Sequence, residues 1–486
     1  MPVSAKTPVY FHSFSYITSN DPPLFSKTSK PASKSTNDLF LESCLLSSGV
    51  TSSKTIGSLN TSISTFVTDM HDTECYEKFN ATLEPAKDES GNIIPQAVHV
   101  KLEAKEKNWY RIHIGGDLKQ STDGISGGGS MGSSNLTIPE VQMTSSLTLR
   151  NLSGSCGLSK VAYNVSQTGS TSFNLGHVQP VFNEVVGKGE RRYGVEYDEV
   201  DWEEERSYRE TKKGVYASFR KGSAPSSTGS YLQTNWSLTL RNILPTLHPT
   251  IPYAHSSPSE IISESGPNLK HSLKLTAASN GAYLRKDKYV PGRGIDSKLE
   301  LEFAGPPGDT GFIKSEFSSS LHIPLYSSLL THHICLNSGI LKVLNFGGLC
   351  NPVSNVSDRF FGGGVLRGFK KGGIGPRCKT EGEGGTLGGE VYHNASFQLS
   401  TPFPHPVIEE MGGRVFCFTN FMALSNLKDV ASIKAVKDST RVSVGAGVAV
   451  PLASLGRLEA SWSKVLRKGE GDLVQPMQFG LNFCVG

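Results

Sequence analysis

The sequence predicts an all-β transmembrane barrel of about 16 antiparallel strands, preceded by one small α+β domain. Three observations carry this. Apolar residues recur at every second position for roughly 370 residues after Asn108, beyond the usual span of one soluble β domain. The positions between them hold Gly, Ser and small polar groups, as a barrel lumen requires. Helical spacing is confined to residues 38–107.

In chain order, residues 1–37 are rich in Ser, Thr, Pro and Lys and read as a disordered N-terminal segment. Residues 38–107 form the small domain. Leu39, Phe40, Leu45 and Leu46 mark one short helix; Ile56, Leu59, Ile63, Phe66 and Val67, three to four apart, mark a second. Residues 76–83 read as a strand. After a turn at 89–92, Val98, Val100 and Leu102 alternate with His99, Lys101 and Glu103 in another.

Residues 108–486 form the barrel. The alternation is clearest near the C-terminus. Val442, Val444, Val448 and Val450 share a face opposite Arg441, Ser443, Gly445 and Gly447. Leu458, Ala460 and Trp462 oppose Arg457, Glu459, Ser461 and Ser463; Met477, Phe479, Leu481, Phe483 and Val485 oppose Gln478, Gly480, Asn482 and Cys484. Earlier, Leu299, Leu301 and Phe303 oppose Lys298, Glu300 and Glu302. About ten clear strands and a weak one at 282–289 precede residue 351, and about five follow residue 389, giving the even number that an antiparallel barrel needs to close. The charged stretch 184–213 and the Ser/Pro-rich stretch 244–269 read as inserted surface loops.

Composition narrows the function. A net charge of +4 with no basic stripe argues against nucleic-acid binding. The eight cysteines are dispersed with no CxxC pair, against a zinc site or a disulfide framework. No run of apolar residues is long enough for a transmembrane helix, which says nothing against strands. The N-terminus shows no basic region followed by an apolar core, so delivery to a membrane by internal signals is expected.

Residues 351–389 interrupt the alternation. The stretch 358–389, DRFFGGGVLRGFKKGGIGPRCKTEGEGGTLGG, holds twelve glycines yet also Phe360, Phe361, Val365, Leu366 and Phe369. Such a loop packs into something, and the alternation supplies a lumen between strands 11 and 12. The Gly362–Gly364 run lacks the Lys-Ser/Thr ending of a phosphate loop.

DRFFGGGVLRGF, then GIGPR, then LGGEVYHNASFQLSTPFP, resembles the most characteristic stretch of the BamA-type barrel superfamily, in particular its central barrel subunits of the mitochondrial sorting and assembly machinery (SAM). Leu149-Arg150-Asn151-Leu152-Ser153-Gly154 resembles an early-barrel motif of that family, and Pro180 sits where the family has a strand-closing proline. The resemblance covers roughly residues 38–486 and implies that residues 38–107 are one POTRA-like domain, the βααββ module of the family, facing the intermembrane space. It implies folding and insertion of β-barrel precursors into the mitochondrial outer membrane, with no catalytic residue, metal or cofactor. The partners implied are unfolded precursors, membrane lipid and peripheral SAM subunits.

The resemblance also implies site residues. Leu366, Arg367, Gly368 and Phe369 form the lumenal-loop motif, with Arg367 held by the inner wall. The facing segment 415–420, VFCFTN, lacks the family's carboxylate, leaving Thr419, Asn420 or Glu390 as possible partners. Trp109, Arg111 and Ile112 in the first strand would line a lateral gate with Gln478, Gly480, Phe483 and Val485 in the last, which fits a mitochondrial β-signal pattern. An exposed strand edge there could template an incoming strand. Two alternatives stay open: a chloroplast or bacterial barrel of the same superfamily, and a passive metabolite pore with an open lumen.

Overall fold

The computed structural model describes residues 8–18, 36–88, 90–119, 140–167, 169–183, 187–222, 229–248, 250, 255–281, 283–284, 291–326, 329–362, 366–370, 372–377, 386–431, 439–452 and 456–482.

The N-terminal domain begins earlier than expected. Strand β1 (Tyr10–Thr18) lies inside the segment read as disordered. It pairs in parallel with β3 (Ile93–Glu106), whose other edge pairs antiparallel with β2 (Tyr76–Lys87). The segment's composition is diluted by the flanking Ser, Thr and Pro, whereas 10–18 itself reads YFHSFSYIT, rich in aromatic residues suited to a half-buried strand. Helices α1 (Asp38–Ser47) and α2 (Ile56–Asp72) cover one face of the sheet. A capping box between Thr55 and Ser58 starts α2, which buries Leu59, Ile63, Phe66 and Met70. The order is β-α-α-β-β.

Sixteen long strands among the described residues make the barrel: β4 (Tyr110–Lys119), β5 (Glu140–Arg150), β6 (Leu158–Ser166), β7 (Thr171–Asn183), β8 (Gly187–Asp201), β9 (Tyr208–Gly222), β10 (Gly229–Pro245), β11 (Gly266–Asn280), β13 (Pro291–Ala304), β14 (Phe312–Leu325), β15 (Leu330–Val343), β16 (Val391–Pro402), β17 (Arg414–Ser425), β18 (Thr440–Leu452), β19 (Gly456–Arg467) and β20 (Met477–Asn482). The two-residue β12 (Tyr283–Leu284) bridges to β13. Each strand pairs with its sequence neighbour, and the ring closes where β20 meets β4.

Four expectations along the barrel are corrected or narrowed. The stretch 184–213 is not a surface loop: it contains β8, the short helix α3 (Glu203–Arg206) and the start of β9. Its charges are those of a lumen wall, where Arg220 pairs with Glu190 across β8 and β9, and Tyr193 and Val195 face outward. Of 244–269, only the part between β10 and β11 is a loop, carrying the short helix α4 (Ser259–Ser263). The weak strand at 282–289 amounts to β12 within the described residues. Pro180 does not close a strand, since β7 runs on to Asn183 with Pro180 opposite Glu190.

The antiparallel order sorts the connections. The turn from β5 to β6 touches the N-terminal domain, where Asn37 N–H donates to Gly154 O at 2.7 Å. The connection from β15 to β16, residues 344–390, therefore leaves from the opposite end of the barrel. It joins the eleventh and twelfth barrel strands.

Candidate functional site

The loop between β15 and β16 is tied to two walls of the lumen. Its root is fixed on β10 and β11. Asp358 Oδ1 accepts from Arg241 Nη1 at 2.9 Å and from Lys270 Nζ at 3.0 Å, while Lys314 Nζ donates to Asp358 O at 3.0 Å. Burial alone would push the Asp358 carboxyl up; Arg241 and Lys270 outweigh it and hold the group well below the ordinary carboxylate range. Arg359 pairs with Glu264 beyond α4. Phe360 packs edge-on against Tyr392, and Phe361 covers the Arg206 guanidinium, which also lies over Trp202.

The loop's tip reaches β17 to β20, half a circumference away. Arg367 Nε and Nη2 donate to Glu459 Oε1 of β19 at 3.0 and 2.6 Å. Both side chains are buried, at 3 % and 4 % exposure, so the carboxylate is what makes a cation tolerable there. The guanidinium also lies 4.7 Å from the ring centroid of Phe418 and 5.1 Å from that of Phe416. Those rings lie over Gly445 and Gly447 of β18, directly opposite in register, where a Cβ would come within 2.6 and 2.5 Å of ring carbons. Glycine in the middle of β18 thus makes the recess that the aromatic floor fills.

The motif's backbone is held as tightly. Gly368 has φ +97°, and a Cβ there would meet Ser463, Val465 and Ser443 at 3.2–3.3 Å. Its N–H donates to Gln478 Oε1 at 3.0 Å, and Gln478 Nε2 donates to Phe369 O at 2.7 Å. Ser443 Oγ donates to Arg367 O at 2.6 Å. Phe369 is fully buried and bridges Val474 in the turn from β19 to β20, and Leu366 lies in the same apolar cluster.

Of the expected partners of Arg367, Asn420 meets its backbone N–H, while the guanidinium is held by a residue outside that set. Thr419 alternates with the lumen-facing Phe418 and Asn420 and so points to the outside of β17. Glu390 accepts from Ser354 Oγ at 2.8 Å and Leu427 N–H at 3.1 Å, bracing the loop's return. Asn420 does face inward, but its Oδ1 accepts from the Arg367 backbone N–H at 3.3 Å while its Nδ2 meets Ser396 Oγ. The carboxylate is Glu459, two strands further round. The sequence carried a signal for it, since Glu459 is the acidic member of the polar face of its strand.

At the seam, Trp109 precedes β4 and Arg111 and Ile112 lie within it; Gln478 and Gly480 lie in β20. Phe483 and Val485 lie outside the described residues. Gly115 and Gly116 keep their places in the β4–β5 ladder, opposite Thr144 and Met143. Gly480 stands opposite Glu459 in the β19–β20 register, so no side chain crowds the ion pair from that position. The loop is therefore bonded to one of the two strands that close the barrel.

Residues 151–483 match the Omp85 superfamily domain. The chain belongs to the Omp85 superfamily. It is 31% identical over 361 residues to the sorting and assembly machinery component 50 homolog of Mus musculus, covering 70% of this chain and 69% of that one. The outer membrane protein assembly factor BamA of Neorickettsia risticii is 31% identical over 211 residues, 43% of this chain and 27% of the relative. Among solved structures, BamA from Haemophilus ducreyi lacking POTRA domains 1-3 superposes with a TM-score of 0.68 at 17% identity, covering 97% of this chain and 84% of that one, a likeness of fold. The Omp85 chain is thus an outer-membrane barrel of the BamA and sorting-and-assembly type, with a small α+β region at its N-terminus.

Proposed function

We propose that this Omp85 protein folds and inserts β-barrel precursors into the mitochondrial outer membrane, with the β4–β20 seam as a lateral gate that templates incoming strands. The similarity to sorting and assembly machinery component 50 homologs supports the assembly role and the mitochondrial setting. In this reading the N-terminal domain lies in the intermembrane space, and peripheral SAM subunits and membrane lipid are the standing partners.

One observation carries the gate. On the β4 side of the seam, Ile112 and Ile114 are 65 % and 71 % exposed, against 39 % and 41 % for Leu299 and Leu301 of β13. A precursor hairpin cannot enter lipid with unpaired backbone groups, each worth several kcal/mol, and an opened edge supplies their partners. No covalent bond forms or breaks, so the process requires neither nucleophile nor metal.

A metabolite pore would leave the lumen open, whereas here Arg367, Leu366 and Phe369 are buried within it. The test is depletion of the protein from cells, followed by import of a radiolabelled mitochondrial porin into the isolated organelle. Porin assembly is expected to fall with the protein; unchanged assembly would falsify the proposal. Fractionation of the same cells checks the compartment against a chloroplast or bacterial-type setting.

A further inference from the structure

The outward wall of the barrel carries a groove of about 510 Å³ where β9, β10, β11, β13 and β14 approach the end that bears the N-terminal domain. That volume suits a small-molecule guest. Its shape follows from strand register. Lys221, Leu232, Ala277, Leu299 and Phe317 stand opposite one another across the five strands, all on the outward face. Ala277 is the small member between two leucines, and it makes the dip. One outward step nearer the N-terminal domain runs a second row, Ser230, Ser279, Ser297 and Ser319, again opposite one another. Ser230 Oγ donates to Ser279 Oγ at 3.3 Å, and the hydroxyls of Ser297 and Ser319 lie 3.2 Å apart. Leu321 and Ile323 continue the outward face of β14 beyond Ser319, so the serine row runs into the apolar band. Hydroxyls that face hydrocarbon need polar partners. Lys221 points outward because its neighbour Arg220 points into the lumen, where it pairs with Glu190. Among the described residues no carboxylate pairs with Lys221.

We propose that this groove binds one phospholipid with a net negative headgroup, in the leaflet on the side of the N-terminal domain. Its location gives the class of ligand. The groove lies on the outward wall of an outer-membrane barrel, so its occupant comes from the bilayer. Lys221 selects the headgroup. Its flexible stem lies along the apolar wall while the ammonium reaches the phosphate, and a cation with no carboxylate partner draws an anionic lipid. One acyl chain lies in the dip over Ala277, between Leu232 and Leu299 and against Phe317. The serine row meets the lipid's phosphate and ester oxygens. Ser279 accepts from Ser230 and makes no other bond among the described residues, so its own proton is left to donate to the lipid. The site lies across the barrel from the β4–β20 seam. On their lumenal face the same strands β10 and β11 carry Arg241 and Lys270, so the lipid sits behind the wall on which the loop is rooted. The inference does not depend on the insertion activity or on the gate.

The test uses the full chain in nonionic detergent micelles. A phosphatidylglycerol probe with a diazirine at the end of one acyl chain is added, irradiated and mapped by mass spectrometry. Labelling is expected to concentrate around Leu232, Leu299 and Phe317. Unlabelled phosphatidylglycerol should compete about fivefold better than phosphatidylcholine, the effect of one lysine on an anionic lipid. Ala277→Phe fills the dip and should abolish labelling at those positions. Lys221→Gln should keep the labelling but let the two lipids compete equally. Both substitutions lie on the lipid-facing wall, and the heat-induced gel shift of a folded barrel qualifies each variant. Labelling spread evenly round the wall, equal competition in the wild type, or unchanged labelling in folded Ala277→Phe overturns the proposal. Native mass spectrometry that finds a second copy of the chain in place of the lipid also overturns it. The wild-type map and competition stand even if a variant does not fold.

Discussion

Gln478, in the strand that closes the barrel, donates to the carbonyl of Phe369 at 2.7 Å and accepts from the N–H of Gly368 at 3.0 Å. One side-chain amide therefore holds the backbone of the lumenal motif on the strand proposed to part at the gate. The loop is rooted on β10 and β11, on the opposite wall. It is a strut across the lumen, and movement of β20 must either break these bonds or carry the loop's tip with it.

Gln478→Leu removes both bonds while keeping the side chain's bulk. At about 0.5–1.5 kcal/mol each, their loss loosens the tip by about 2 kcal/mol. That corresponds to a roughly 30-fold fall in hydrogen-exchange protection across residues 366–370. Unchanged protection there would show that the ion pair alone fixes the tip.

Arg367 and Glu459 are buried together, so removing either strands the other. Arg367→Ala and Glu459→Gln should each destabilise the folded barrel by about 3–5 kcal/mol, and the double variant by less than the sum. Urea midpoints in micelles measure this. In cells Arg367→Ala is expected to impair assembly of new barrels, and normal precursor insertion by that variant would remove the loop from the mechanism. Arg367→Lys should rescue only in part, because one ammonium cannot reproduce the two-nitrogen contact to Oε1.

The residues that were legible in the sequence are those whose neighbours share their chemistry. The C-terminal strands announce themselves because Val442 to Val450 and Met477 to Phe479 alternate cleanly between lipid and lumen. Arg367 stood out through its glycine-rich surroundings. β8 was hidden because a water-facing lumen admits charges at Glu190, Arg192, Glu196 and Asp198, which mimic a surface loop. β1 was hidden by low-complexity flanks. The local sequence points to Thr419 and Asn420 of β17, or to Glu390 before β16, as partners of Arg367. Curvature of a closed sheet places β19 equally near, and nothing in the local sequence reports curvature.

Acid should release the loop's root only below the ordinary carboxylate range. The folded Asp358 carboxyl titrates below its unfolded value, so its stabilising contribution is fully present above about pH 4. It is lost as the pH falls through the folded value. Tryptic cleavage at Arg359 in micelles should thus be slow and constant from pH 8 to 5. Asp358→Asn leaves Arg241 and Lys270 without their carboxylate and should speed cleavage throughout that range. A wild-type protein that loosens between pH 7 and 5 would show that another group governs the root.

The seam itself can be locked. A cysteine at position 111 or 112 of β4, paired with one in β20, places a covalent bond across the junction where the ring closes. If precursors enter by parting these strands, oxidation should abolish porin assembly while the barrel stays folded, as judged by its heat-induced gel shift. Reductant should restore assembly, which separates a locked gate from a damaged barrel. The same pair placed across β10 and β11, half a circumference away, serves as the control and should leave assembly unchanged. Continued porin assembly with the β4–β20 bond formed would mean that precursors enter elsewhere, and that the poor coverage of Ile112 and Ile114 has another origin.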